Sequence, residues 1–229
     1  MNPAVSWFLA LSIAPLFLLV LFLVLGFRIH KIETKSSFSL LTMFPFEFLS
    51  GPQGKRKATI TAFYFYAALD AFAGAYLLLT LNKHTFLLAL AIVLLIVALL
   101  KDVAMVAMGL ISAYSPKAHL LCFVVYSGLS VLEAAVAAIS FANLTSIDNS
   151  LALGFCVAMV VLGGLSFLLL INPRLSHWGE LRSEMDENGD ITTFRPKPFV
   201  LAFSEWLLIF ISEVSTLVAL LGFMLLSLN

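Results

Sequence analysis

Long apolar runs alternate along this chain with short polar segments. Six of the runs reach the roughly 20 residues that a helix needs to cross a hydrocarbon core of about 30 Å. The pattern therefore predicts an all-α, polytopic membrane bundle of six transmembrane helices, with the whole chain (1–229) as a single transmembrane domain. The runs cover residues 4–27, 59–81, 85–112, 118–142, 151–172 and 198–228.

Positive charges are distributed unequally between the connections of this bundle. The 28–58 segment contains six Lys and Arg residues, the 113–117 turn one and the 173–197 segment four, whereas the other side has Lys83 alone. Because Lys and Arg are enriched in cytoplasmic loops, both termini are predicted to be extracytoplasmic. The first run lacks a preceding basic segment and is long enough to span, so we expect a retained helix rather than a secretory signal peptide.

The composition excludes a soluble protein. The chain is 62% hydrophobic and 11% charged, whereas soluble domains are about half apolar and a quarter charged. Its basic residues form short clusters in a membrane protein, so we expect contact with membrane lipid and no nucleic-acid partner. Cys122 and Cys156 fall near opposite ends of neighbouring helices and are expected to be free thiols.

Motifs of known catalytic and cofactor sites are missing. No HExxH, P-loop, GxGxxG or GxSxG pattern occurs, and no Cys/His cluster has the spacing of metal ligands. The histidines fall in loops or at the ends of runs, which argues against haem ligation inside the membrane. We therefore expect no cofactor and no metal site. The histidines are His30, His84, His119 and His177.

Six ionisable residues lie inside the apolar runs. Such a side chain costs several kcal/mol in hydrocarbon, so it is expected to face the bundle interior or a water-filled cavity. The acids outnumber the lysine, so internal pairing cannot neutralise them all, and some must hold protons, bind cations, contact water or meet a partner chain. A network that only specifies packing, with the remaining acids protonated, is the structural alternative. The residues are Asp70, Lys101, Asp102, Glu133, Glu205 and Glu213.

Depth along the helices groups most of these residues into one layer. At 1.5 Å per residue, all but Glu205 lie near the membrane midplane, and Glu205 lies roughly 10 Å from the cytoplasmic boundary. Lys101 is predicted to reach Asp70 or Glu133. Adjacent helical residues point about 100° apart, so Asp102 needs a separate partner or a proton.

Small and polar residues define two further helix faces. In the last run, Glu205, Ser212 and Thr216 recur at i, i+7 and i+11, with Glu213 at the edge, so this stripe is predicted to line the interior. Small-residue stripes predict close approach of the second and fourth runs. These stripes are Ala67, Ala71 and Ala75, and Ser130, Ala134 and Ala138.

The two long cytoplasmic connections also carry structural signals. Residues 38–50 are too short to span and too apolar to be fully solvated, so they are predicted to form an interfacial or re-entrant segment. Within it, aromatic residues are expected at the lipid boundary, and the basic cluster that follows is expected to attract anionic headgroups. Asn188-Gly189 predicts a solvated hairpin in the 173–197 segment. The aromatic residues are Phe44, Phe46 and Phe48, and the basic cluster is Lys55, Arg56 and Lys57.

Three functions are compatible with these features. In a small transport protein, Asp70, Glu133 or Glu213 would bind and release a proton or cation, and Lys101 would set their affinity. A non-catalytic subunit of a membrane complex, or a homo-oligomer, would use the small-residue faces and surplus acids to dock partner helices. An intramembrane lipid-acting enzyme would need an acid pair at the cytoplasmic interface, where only Glu205 is close.

Overall fold

The structure is a computed structural model with five helices and one β-hairpin among its described residues. It describes residues 5–6, 9–45, 47, 78–79, 81, 85–111, 115–185 and 189–228. Most of the second predicted run lies outside these residues. Several of the predictions made from the sequence concern residues that also lie outside them. These concern Asp70, the stripe at Ala67, Ala71 and Ala75, Phe46 and Phe48, and the cluster of Lys55, Arg56 and Lys57.

Four of the five helices are long and apolar enough to cross a membrane, which supports a multi-pass membrane protein. The ends of these four, α2 to α5, agree with the sequence prediction within two residues. The first helix, α1, follows directly on a π-helical turn at Leu9–Ile13. The helices are α1 (Ala14–Thr34), α2 (Thr85–Leu110), α3 (Pro116–Asn143), α4 (Asn149–Leu170) and α5 (Val200–Leu228).

Helix α1 extends seven residues beyond the predicted end of the first apolar run. It contains Arg28 and Lys31 and ends where Lys35 adopts a φ of 55° and donates its N–H to the carbonyl of Lys31. Hydropathy marks only the part of a helix that suits lipid, whereas the backbone hydrogen bonds continue into polar sequence. The predicted apolar run therefore ends at residue 27 inside a helix that continues to Thr34.

The N-terminus of α4 is capped by a carboxylate. Asp148 accepts hydrogen bonds from the backbone N–H of Leu151 and the hydroxyl of Ser150, each at 3.0 Å. These hydrogen bonds stabilise the ionised carboxylate and hold the pKa of Asp148 below its usual value. The cap lets α4 start within six residues of the end of α3, so the two helices form an antiparallel pair.

The predicted hairpin is present in the connection between α4 and α5. Strands β1 (Arg182–Met185) and β2 (Ile191–Phe194) pair antiparallel, with Met185 opposite Ile191. Gly189 has a φ of 86°, a conformation that favours glycine, in the connecting loop. Every strand residue is exposed, so the hairpin lies outside the helical bundle.

Helix α3 lies at the centre of the described bundle and packs against α2, α4 and α5. Its predicted small-residue stripe is used in part against α4, because a Cβ built on Gly163 would lie 2.9 Å from that of Ala134. The predicted contact of this stripe with the second run lies outside the described residues. Close helix approach at small residues is nevertheless present, with α4 as the partner.

Two hydrophobic clusters lie in succession along the bundle. One contains Met105 from α2, Tyr126 from α3 and Ile209 from α5. The other contains residues of the same three helices: Leu94, Ala134 and Ala219. On each of these three helices, one polar residue lies between the residue in the first cluster and the residue in the second. A polar layer therefore separates the two clusters. The polar residues are Lys101, Glu133 and Thr216.

The segment at 38–45 packs against the helix bundle. The N–H of Phe199 donates to the carbonyl of Leu41 at 2.8 Å, and the indole N–H of Trp206 donates to the carbonyl of Met43 at 3.0 Å. Phe44 is consequently 1% exposed. Its predicted place at the lipid boundary is wrong, because these hydrogen bonds hold the segment against the start of α5.

Candidate functional site

The centre of the polar layer is an ion pair that joins α2 to α3. Lys101 Nζ lies 2.5 Å from Glu133 Oε2, and the two residues are 1% and 8% exposed. The ammonium also donates to Thr216 Oγ1 on α5 at 3.3 Å. Of the two predicted partners of Lys101, Asp70 and Glu133, the structure shows the contact with Glu133, and one ammonium links three helices.

The other acids of the predicted layer occupy different environments. Asp102 is buried beside Lys101 in sequence, while Glu213 is half-buried on the wall of an apolar cavity of about 200 Å³ between α1 and α5. Asp70 lies outside the described residues. The structure therefore brings Glu133 into contact with Lys101 and places Glu213 on a separate surface of α5.

Hydroxyl groups continue the polar layer between α3 and α5. Ser130 and Ser212 have their Oγ atoms 3.4 Å apart, and Ser130 also donates to the carbonyl of Tyr126 at 2.9 Å. Ser212 and Thr216 are both buried. The predicted interior stripe of Glu205, Ser212 and Thr216 is confirmed, since all three side chains face the protein interior.

Glu205 has a histidine neighbour that the sequence analysis did not assign to it. His119 Nδ1 lies 3.8 Å from Glu205 Oε1, and both residues are at most 2% exposed. His119 is in the first turn of α3, and Glu205 is near the start of α5. Because both helices begin on the same side of the bundle, the two side chains meet near that end.

Phe44, in the connection that follows α1, covers the His119 side of the His119–Glu205 pair. The Phe44 ring stacks on the His119 ring, with centroids 3.9 Å apart and planes at 5°. The Arg195 guanidinium lies 5.0 Å from the centre of the Phe44 ring and pairs with Glu47 at 2.6 Å. An ion pair therefore lies beside the Phe44 ring that covers His119.

His119 was missed because its position alone resembles that of a loop residue. A histidine three residues after a helix-starting proline is usually solvent-exposed. The available signal was its depth, since His119 and Glu205 lie three and five residues into helices that start at the same predicted membrane face. Depth along the helices, applied to histidines as well as to acids, predicts that His119 and Glu205 lie together.

The described residues contain no group of three or more His, Cys, Asp or Glu side chains arranged to hold a metal ion. Cys122 and Cys156 are free thiols in separate helices. The chemistry of the site is accordingly that of buried acids, a lysine, a histidine and hydroxyl groups, all of which exchange protons. No protein-family model, curated protein or solved structure matches the chain.

Proposed function

We propose that this chain is a small integral membrane transport protein in which Glu133, paired with Lys101, handles a proton or a cation. The observation that carries the proposal is the buried Lys101–Glu133 ion pair, with an N–O distance of 2.5 Å. Ionisable groups inside a membrane bundle are costly to bury and commonly mark ion or proton pathways. Protonating Glu133 would remove its attraction to Lys101 and change how three helices are held together.

The proposed topology has six spans and extracytoplasmic termini. Helices α2 to α5 supply four of the spans, and α1 with the 59–81 run would supply the other two. The positive charges at 173–197 and 28–58 support this orientation. On this topology, Lys55, Arg56 and Lys57 contact anionic lipid headgroups, and Asp70, Asp102 and Glu213 contribute further carboxylates near the midplane.

The experiment is a flux measurement on the purified chain in proteoliposomes, with an imposed proton or monovalent-cation gradient. Glu133→Gln is expected to lower flux about tenfold or more, corresponding to about 1.4 kcal/mol or more in the barrier. The reason is that glutamine keeps the side-chain shape but can neither bind nor release a proton. Glu184→Gln is the matched control, because Glu184 is an exposed glutamate in the hairpin.

Two results would overturn the proposal. One is a wild-type chain that is monodisperse and correctly folded but moves neither protons nor cations. The other is full flux through a Glu133→Gln variant. Elution volume and helical circular dichroism identify a variant that has lost its fold, and Glu133→Asp, which keeps the carboxylate, is then expected to retain flux.

A further inference from the structure

A second buried titratable pair, His119 and Glu205, lies apart from the Lys101–Glu133 pair. On α3, His119 is fourteen residues before Glu133, which corresponds to about 21 Å along the helix axis. Glu205 is eleven residues before Thr216 on α5, about 16 Å. Glu133 and Thr216 thus lie at a different depth of α3 and α5 from His119 and Glu205, and the His119–Glu205 pair lies nearer the predicted cytoplasmic end.

Side chains with hydroxyl groups occupy the interface between the two pairs. On α3, Tyr126 and Ser130 follow His119 at i+7 and i+11, and on α5 Ser212 follows Glu205 at i+7, so each set lies along one helix face. These residues are buried. We call the set the α3–α5 polar row; it comprises His119, Tyr126, Ser130 and Glu133 with Glu205, Ser212 and Thr216.

Two contacts cross the α3–α5 polar row directly, and Lys101 of α2 makes the third. His119 faces Glu205 at 3.8 Å, Ser130 faces Ser212 at 3.4 Å, and Thr216 accepts from the ammonium that also holds Glu133. The buried polar residues therefore form a row of separate contacts along the two parallel helices, with Glu205 and Ser212 about 10 Å apart along α5. It runs from the predicted cytoplasmic end to the midplane pair.

The chemistry of this row favours a proton over a metal cation. A hydroxyl group accepts one proton and donates another, so a row of hydroxyls passes a proton on without net change. A metal ion instead needs several oxygen ligands at once, and the described residues contain no group of three or more His, Cys, Asp or Glu side chains arranged to hold one. Glu133 Oε2 is already in contact with a tethered ammonium.

We propose that the transported species is the proton, and that His119 with Glu205 is its cytoplasmic binding site, connected to Glu133 by the α3–α5 polar row. This inference rests on the proposed transport function. Histidine suits the role because its charge changes close to physiological pH. Of the titratable groups near Glu205, His119 of α3 lies at 3.8 Å; Cys122 of α3, with Arg195 and Glu47 of the connecting segments, are near enough for electrostatic interaction.

The proton balance of the path is simple. The imidazolium of His119 gives its proton to the Glu205 carboxylate, leaving neutral imidazole and a carboxylic acid. The acid releases that proton into the row, where Tyr126, Ser130, Ser212 and intervening water each accept one proton and release another. Glu133 takes up the final proton, and His119 is recharged from the cytoplasm.

The test measures proton flux with a pH-sensitive dye trapped in proteoliposomes. His119→Ala is expected to slow flux on the order of tenfold, and added imidazole is expected to restore it by occupying the space left by the ring. Glu205→Gln is expected to slow flux similarly. His177→Ala is the matched control, because His177 also pairs with a glutamate, Glu180 at 2.5 Å, but is 67% exposed. Proton flux through the His177→Ala variant should equal that of wild type.

The outcomes separate this inference from the proposed function. Unchanged proton flux in both His119→Ala and Glu205→Gln, alongside loss in Glu133→Gln, would overturn the path while leaving transport in place. Slow flux that imidazole does not restore would make His119 a structural residue and equally overturn it. A wild-type chain that moves a metal cation but no protons would contradict the proton assignment alone, whereas no flux of any kind would remove the proposed function.

Discussion

At the scale of single residues, Lys101 decides how the centre of the bundle is held together. Its ammonium contacts Glu133 on one neighbouring helix and Thr216 on another. Removing two charges from water is expensive, and their attraction offsets that cost only while both are present. The pair is therefore a strong constraint on packing even where its net contribution to stability is small.

Breaking this pair is expected to destabilise the fold more than removing it altogether. Lys101→Met alone should lower the free energy of unfolding by about 3–5 kcal/mol, because Glu133 is left as a buried, uncompensated charge. Lys101→Met combined with Glu133→Leu should recover most of that loss. Reversible unfolding in mixed detergent micelles measures the free energy of unfolding of each single variant and of the double variant. A double variant that loses as much stability as the two single variants together would contradict this account.

The sequence predicted one of the two buried pairs and not the other. Lys101 and Glu133 are conspicuous because each is a charge inside an apolar run, and equal depth suggested their contact. His119 is buried because Phe44 stacks on it, which depends on a connection from a distant part of the chain folding back. Hydropathy and helical periodicity report local preference, so they contain no information on that contact.

At the scale of the helices, apolar length was sufficient to locate α2 to α5 within two residues. Pro116 starts α3 and Asp148 caps α4, and both signals are visible in the sequence. The partner of each helix face was harder to predict. The small residues of α3 identified a surface where another helix can approach closely. Which helix approaches depends on a small residue on the opposing side, and α4 provides Gly163 there.

Two adjacent glycines of α4 provide a direct test of that contact. Gly163→Ala should destabilise the protein by about 1–3 kcal/mol, the usual cost of overpacking, because its Cβ would lie 2.9 Å from that of Ala134. Gly164→Ala is the control, since nothing lies within 4 Å of its Cβ, and it should be neutral or stabilising through helix propensity. Unfolding temperatures in the same detergent compare the two, and equal effects would argue against close α3–α4 packing.

At the scale of the whole molecule, the two hydrophobic clusters stabilise the ends of the bundle and leave its polar groups between them. Met105, Tyr126 and Ile209 belong to one cluster, and Ala134 and Ala219 belong to the other. Because apolar side chains flank this layer on both sides, charge interactions within it are stronger than in bulk water. A change of protonation in this layer would therefore be transmitted to three helices at once, which is a physical basis for coupling proton binding to helix movement.

The orientation of this bundle is the prediction that belongs to the molecule as a whole. With Cys122 and Cys156 replaced by alanine, Ser146→Cys in the turn after α3 and Ser183→Cys in the hairpin offer two exposed thiols on either side of α4. A membrane-impermeant maleimide added to intact cells should label the first, and should label the second only after permeabilisation, because the 173–197 segment carries four Lys and Arg residues. Labelling in the opposite order would invert the proposed topology and place His119 and Glu205 at the extracytoplasmic end. Labelling of both thiols from the same side would mean that α4 does not cross the membrane.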